Sequence, residues 1–196
     1  MARPSTNSQT LLERLPASFT RAQARERGVT DYALDRLMRE ALLDRPARGV
    51  FQQLHQIEPH PELAAIALRA PQATLCLLSA LAEHDLTDEI PARIDLALPQ
   101  GTRHPATDMP IAWHAFQRAT FALGRRPHSS GLFIYDAQRS VLDALRLRGT
   151  LGHPVAYQAL RRWLARPGAH PAHLLTLSQQ LPRSEGPLRA ALEILL

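Results

Sequence analysis

The chain contains no lysine: all 23 of its cationic residues are arginine. That absence excludes chemistry built on an ε-amine. Schiff-base catalysis, the P-loop phosphate cradle and the phosphate positioning of protein kinases each require a lysine. Cysteine is nearly as scarce. Cys76 stands alone, so no intrachain disulfide can form, and its place in an apolar stretch marks it as a small buried hydrophobe. Apolar runs are short. The longest, Leu75 to Ala82, includes Ser79 and falls far below the roughly 20 residues of a membrane span. The N-terminus, MARPSTNSQT, lacks the apolar core of a signal peptide, and its first residues are expected to fray. The expectation is a soluble, cytoplasmic protein without membrane contact.

What remains is a globular composition, 45% hydrophobic over 196 residues, enough for one large or two small domains. The net charge of +5 is unevenly spread. Residues 1–52 carry +3, residues 53–100 carry −5, residues 101–166 carry +7, and the rest balance. Basic blocks around an acidic one point to an anionic partner for particular faces rather than for the whole surface.

The first 52 residues follow a helix-turn-helix pattern. Gln9 to Leu15 forms a helix that Pro16 stops, with Leu11, Leu12 and Leu15 facing inward. Thr20 and Gln23 have the spacing of a capping box, opening a short helix over Arg21 to Arg27. Gly28 ends it, and Thr30 caps the next. Along that second helix Ala33, Leu34, Leu37, Met38 and Ala41 form one apolar stripe. Leu42 to Arg45 and Gly49 to Gln52 read as two strands of a wing around a Pro46-Ala47-Arg48-Gly49 turn. Gln53 to Pro61 is a polar connector, which places a domain boundary near residue 56.

The remainder reads as helices, three strands, then helices. Helices are expected at Glu62–Leu68 and over Ala73–Glu83, the latter apolar nearly all round. Strands are expected at Arg93–Leu98, Ile111–Phe116 and Gly131–Tyr135. Asp136 caps a helix running to Arg148, followed by helices at Pro154–Arg166, Ala172–Leu181 and Pro187–Leu196. The fold class is therefore α+β: an N-terminal winged helix-turn-helix over residues 1–55, then a C-terminal domain over 56–196 with a small β-sheet covered by helices.

Two candidate sites follow. For binding DNA, the second helix offers Thr30, Tyr32, Arg36 and Arg39, the first offers Thr20 and Arg21, and the wing offers Arg45 and Arg48. Arginine pairs bidentately with guanine, and threonine or tyrosine contacts phosphate or a thymine methyl. The alternative is a small helical subdomain whose charges are merely solvated, with Arg39 pairing Asp35 one turn back. Asp31 has no partner on its own helix. In the C-terminal domain, Arg139 and Asp143 stand one turn apart with Arg146 and Arg148 beyond. They form either a structural ion pair or a surface for a partner. His170 and His173 have no acid or cysteine at ligand spacing, so no metal or other cofactor is expected.

The frame FTRAQARERGV, then YALDRLMREALLDR, then RGVF resembles the winged helix of the AbiEi-type antitoxins of abortive-infection systems. PQATLCLLSALAEHDLTDEIP, RIDLALPQGTRHP and FIYDAQRSVLDALRLRGTLG are similar to the C-terminal domain of that family. The chain departs at Ala41, where glycine is frequent, at Phe51, where tyrosine is usual, and at Ser140 in place of threonine. The resemblance implies a repressor binding double-stranded DNA at inverted repeats before its own operon, as a possible dimer on DNA. It also implies a type IV antitoxin counteracting a nucleotidyltransferase toxin without needing a stable complex, and without a catalytic role. Two alternatives remain: a DNA-directed nuclease-like enzyme, which the missing lysine and the single strand acid Asp95 disfavour, and a ligand-responsive transcription factor.

Overall fold

The computed structural model describes residues 6–55 and 61–195. The N-terminal residues expected to fray, the middle of the Gln53–Pro61 connector and Leu196 lie outside them. The chain divides into two compact units. One comprises the residues up to Pro71 together with Ser129–Leu132; the other comprises Gln72–His128 and Phe133–Leu196.

The first unit begins with α1 (Thr6–Glu13), β1 (Ser18–Thr20), α2 (Arg21–Glu26) and α3 (Asp31–Arg39). A hairpin of β2 (Leu43–Ala47) and β3 (Val50–Gln53) follows, then α4 (Pro61–Arg69). The sheet has three strands in the order β1-β3-β2, all antiparallel. β1, unseen in the sequence reading, pairs Phe19 with Phe51, and the two rings stack at 5.7 Å. The wing turn is shorter than expected. Ala47 pairs with Val50, leaving only Arg48 and Gly49 in the turn, and Pro46 lies in edge strand β2 where the register shifts. An edge strand is where a residue without an N–H is tolerated. Leu12, Leu15, Phe19, Leu34, Leu37, Leu42 and Phe51 form the core of this unit.

Helices α2 and α3 end in the same device. After α2, Val29 N–H bonds to Ala24 O and Gly28 N–H to Arg25 O; after α3, Leu42 bonds to Leu37 O and Ala41 to Met38 O. These are Schellman closures, and each puts its penultimate residue in the left-handed region: Gly28 at φ 76° and Ala41 at φ 52°. Ala41 is therefore exposed beyond the helix rather than part of its apolar stripe. Gln53, expected in a polar connector, is the buried end of β3. Its amide donates to the carbonyls of Leu12, Leu15 and Pro16 at 2.9, 2.7 and 3.2 Å. The helix α4 lies against all three strands, so this unit continues past the change of composition near residue 56.

The second unit runs β4 (Thr74–Leu75), α5 (Leu77–Glu83), β5 (Ile94–Pro99), β6 (Ile111–Phe116), α6 (Arg118–Phe121), β7 (Arg125–Pro127) and β8 (Phe133–Tyr135). It ends with α7 (Ala137–Arg146), α8 (Arg148–Leu151), α9 (His153–Leu164), α10 (Pro171–Ser178) and α11 (Glu185–Leu195). The sheet is five-stranded and mixed, in the order β6-β5-β4-β8-β7. The two strands beyond the expected three are short. β4 occupies the start of the run read as one helix from Ala73, and it is central, antiparallel to β5 and parallel to β8. β7 is the edge strand Arg-Arg-Pro, antiparallel to β8. The main core is helical: Leu81 and Leu86 meet Val141, Leu142 and Leu145 of α7, Leu160 and Trp163 of α9, Leu174 of α10 and Leu188 of α11. Each fully buried leucine of this set contributes about 1.5–3 kcal/mol.

Candidate nucleic-acid interface

The candidate face is built on the two capped helices, α2 and α3. Thr20 accepts from the N–H of Gln23, whose side chain returns to the N–H of Thr20 at 2.8 Å, completing the capping box. Thr30 accepts from the N–H of Ala33 at 3.2 Å. Both threonine side chains are thus committed to backbone, and their part is to fix helix starts. With Leu34 and Leu37 fully buried, the opposite side of α3 turns outward. Tyr32 is 73% exposed, Arg39 is exposed, and Arg39 Nε donates to the carbonyl of Asp35 rather than to its carboxylate. On the hairpin, Arg45 and Arg48 are exposed.

Asp31 has the partners that its own helix does not supply. Arg25 Nη2 donates to Asp31 Oδ2 at 2.5 Å, and Arg21 Nε lies 3.7 Å from Oδ1. The hydrogen bond from Arg25 holds the Asp31 carboxyl below its ordinary range, and Arg25 is pushed up in turn. The acid at the start of α3 is therefore covered by cations of α2. Arg21 also lies over the Phe51 ring, at 5.9 Å.

Arg36, expected among the DNA contacts, lies beside Glu40. Its Nε lies 3.7 Å from Glu40 Oε1, and Glu40 in turn accepts from Ser8 of α1 at 2.6 Å. Its Nε and Nη2 are shielded from solvent. This guanidinium is turned along the helix toward Glu40, leaving Tyr32 and Arg39 as the outward row.

In the second unit, Arg139 and Asp143 are not a surface. Their side chains are each 1% exposed and bond at 2.9 Å. Arg139 also donates to the carbonyls of Thr120 and Leu123, and its guanidinium lies 4.4 Å from the Tyr135 ring centre. Asp143 takes a second arginine, Arg146, at 2.7 Å. The expected partner surface is corrected accordingly: Arg139 and Asp143 are buried and form no part of the exposed surface, while Arg146 and Arg148 stay partly exposed. The basic block divides in the same way. Arg125 clamps β7 to β4 through Thr74 Oγ1 and to the segment before it through Gln72 O, and stacks 3.5 Å over Phe133. Arg162 pairs with Asp88 at 2.5 Å, and Arg166 donates to the carbonyl of His84. Arg126 remains 70% exposed. Asp95, the lone strand acid, faces His114 Nε2 at 2.8 Å. Among the described residues no three His, Cys, Asp or Glu side chains are grouped to hold a metal ion, and no helix is long and apolar enough to cross a membrane.

No curated protein matches the sequence. Among solved structures, the RV2827C protein from Mycobacterium tuberculosis shares the fold, with a TM-score of 0.55 at 19% identity over 96% of this chain and 80% of that one. Residues 10–52, from within α1 to the end of the wing, match the family model described as transcriptional regulator, AbiEi antitoxin, a winged-helix type.

Proposed function

We propose that the protein is a transcriptional repressor of its own operon and a type IV antitoxin that counteracts a cognate nucleotidyltransferase toxin. The observation that carries the DNA-binding part is the outward row of α3 beside the exposed wing arginines, with Asp31 covered by Arg21 and Arg25. In this reading α3 enters the major groove. Arg39 pairs with a guanine, Tyr32 meets phosphate or a thymine methyl, and Arg45 and Arg48 lie along phosphate or the minor groove. Covering Asp31 lowers the repulsion that a bare carboxylate would meet at the DNA backbone. Two copies sit on one inverted repeat, each reading a half-site. Neutralisation of the toxin belongs to the second unit, with Arg146 and Arg148 available for contact, and no catalytic step is assigned. The protein acts in the cytoplasm.

Fluorescence anisotropy with labelled DNA from immediately upstream of the gene, against scrambled DNA at several salt concentrations, tests the reader. Arg39→Ala is expected to cost about 1–3 kcal/mol on the upstream DNA alone. Arg48→Ala is expected to weaken both DNAs and lower the salt slope by about one. Arg36→Ala, given its inward guanidinium, should change discrimination far less than Arg39→Ala. Equal binding to both DNAs would reject a sequence-specific regulator. The antitoxin part is tested separately by co-expression with the neighbouring toxin gene: growth should return with the wild-type protein, and failure would reject that part.

A further inference from the structure

The second unit carries a cleft of about 410 Å³, of which the reading above uses only Arg146, at its rim. One wall is β6, on which His114 and Phe116 share a face; another is the end of α7, presenting Arg146; a third is the turn between α10 and α11, presenting Arg183. The volume is within the roughly 300–1,000 Å³ typical of small-molecule sites.

Its charge is unbalanced. Asp143 lies under the cleft as one carboxylate shared by two guanidiniums, those of Arg139 and Arg146. Asp95, the other nearby acid, is engaged by His114. Among the described residues no acid pairs with Arg183. The cleft therefore presents more positive than negative charge to an occupant.

One of the cations is also held in place before any ligand arrives. Arg146 is fixed by its Nε bond to Asp143 at 2.7 Å and lies 5.0 Å from the Phe116 ring centre, which leaves its terminal nitrogens for another acceptor. Arg183 occupies a left-handed conformation, φ 64°, which an arginine adopts at a cost and glycine would adopt freely. Backbone strain of this kind clusters at binding sites. A planar guanidinium already positioned loses less freedom on meeting a phosphate.

Arginines on two walls, one of them fixed, and the ring of His114 on a third suit a ligand with a polyanionic end and a planar end. We propose that this cleft binds a mononucleotide, with its phosphates on Arg146 and Arg183 and its base against the His114 ring.

Isothermal titration of the full-length protein with each of the four ribonucleoside triphosphates tests this, with inorganic triphosphate and the free nucleosides as comparison ligands. At least one nucleotide should bind more tightly than both of its fragments. Arg183→Gly should weaken that binding by roughly tenfold or more, the scale of a charged hydrogen bond, without lowering the thermal midpoint, because glycine accepts the backbone conformation. Arg146→Gln should weaken it similarly. Binding to the upstream DNA, measured in parallel, should not change in Arg183→Gly. Three results would overturn the proposal: no heat with any nucleotide, inorganic triphosphate binding as well as the nucleotide, or an unchanged affinity in Arg183→Gly.

Discussion

Asp143 shows what a single side chain decides. It is buried and neutralises Arg139 while orienting Arg146. Removing one partner of such a pair leaves an uncompensated buried charge. Asp143→Ala is therefore expected to cost about 3–5 kcal/mol in urea unfolding. The double variant Arg139→Met, Asp143→Leu should recover part of that loss, since it removes both charges but leaves the carbonyls of Thr120 and Leu123 without their donor. A double variant no more stable than the single one would mean that the carbonyl bonds, and not the charges, dominate. Ala41 makes the opposite case. Its φ of 52° is where glycine is preferred, and its side chain is exposed. Ala41→Gly is expected to stabilise the first unit by about 0.5–1 kcal/mol, seen as a higher thermal midpoint. A lower midpoint would show that Ala41 does not close α3 in this way.

At the scale of elements, the first unit depends on how α1 and β3 are joined. Gln53 ties the end of β3 to the last turn of α1 and the segment after it through three carbonyls, which Leu12, Leu15 and Pro16 supply. Gln53→Leu fits the apolar surroundings but strands those acceptors. It is expected to cost about 1–3 kcal/mol and to loosen the wing. Hydrogen exchange at the β2–β3 amides should report that loosening. Exchange unchanged from the wild-type protein would place the anchor elsewhere. This element was not legible in the sequence. A glutamine beside further polar residues reads as solvated until the fold shows which carbonyls face it. The capped helices, by contrast, were legible, because a capping box, a C′ glycine and a 3.6-residue stripe are local signals that need no distant partner. The central strand β4 was hidden for a related reason: two strand residues at the head of an apolar run have no periodicity of their own.

For the whole molecule, two buried acids in one core set its behaviour in base. Burial pushes the Cys76 thiol well up, and burial likewise raises the Tyr135 hydroxyl, which donates to Phe121 O at 2.9 Å. In both cases the folded value lies above the unfolded one. The stability they contribute is complete at neutral pH. It is lost as pH rises past about 9 to 10, where the unfolded chain releases protons that the folded chain keeps. Each group contributes a slope of up to about 1.4 kcal/mol per pH unit in that window. Urea midpoints from neutral pH to about pH 11 should show this fall, and Tyr135→Phe should show a shallower one. An identical slope in the variant would show that Tyr135 is not among the groups that set it.

The sequence by itself determined what depends on neighbours along the chain. The caps at Thr20, Thr30 and Asp136, the stop at Gly28 and the stripe of α3 follow from residue type and spacing. So did the outward position of Tyr32, Arg39, Arg45 and Arg48. Tertiary structure alone decided which charges were already engaged. Asp31 found Arg25 across a helix turn, Arg36 turned to Glu40, and Arg139 sank beneath the surface with Asp143. Spacing shows only which charges can reach each other within one helix. Which of them lose water and which remain for a partner depends on side chains brought in from distant parts of the chain.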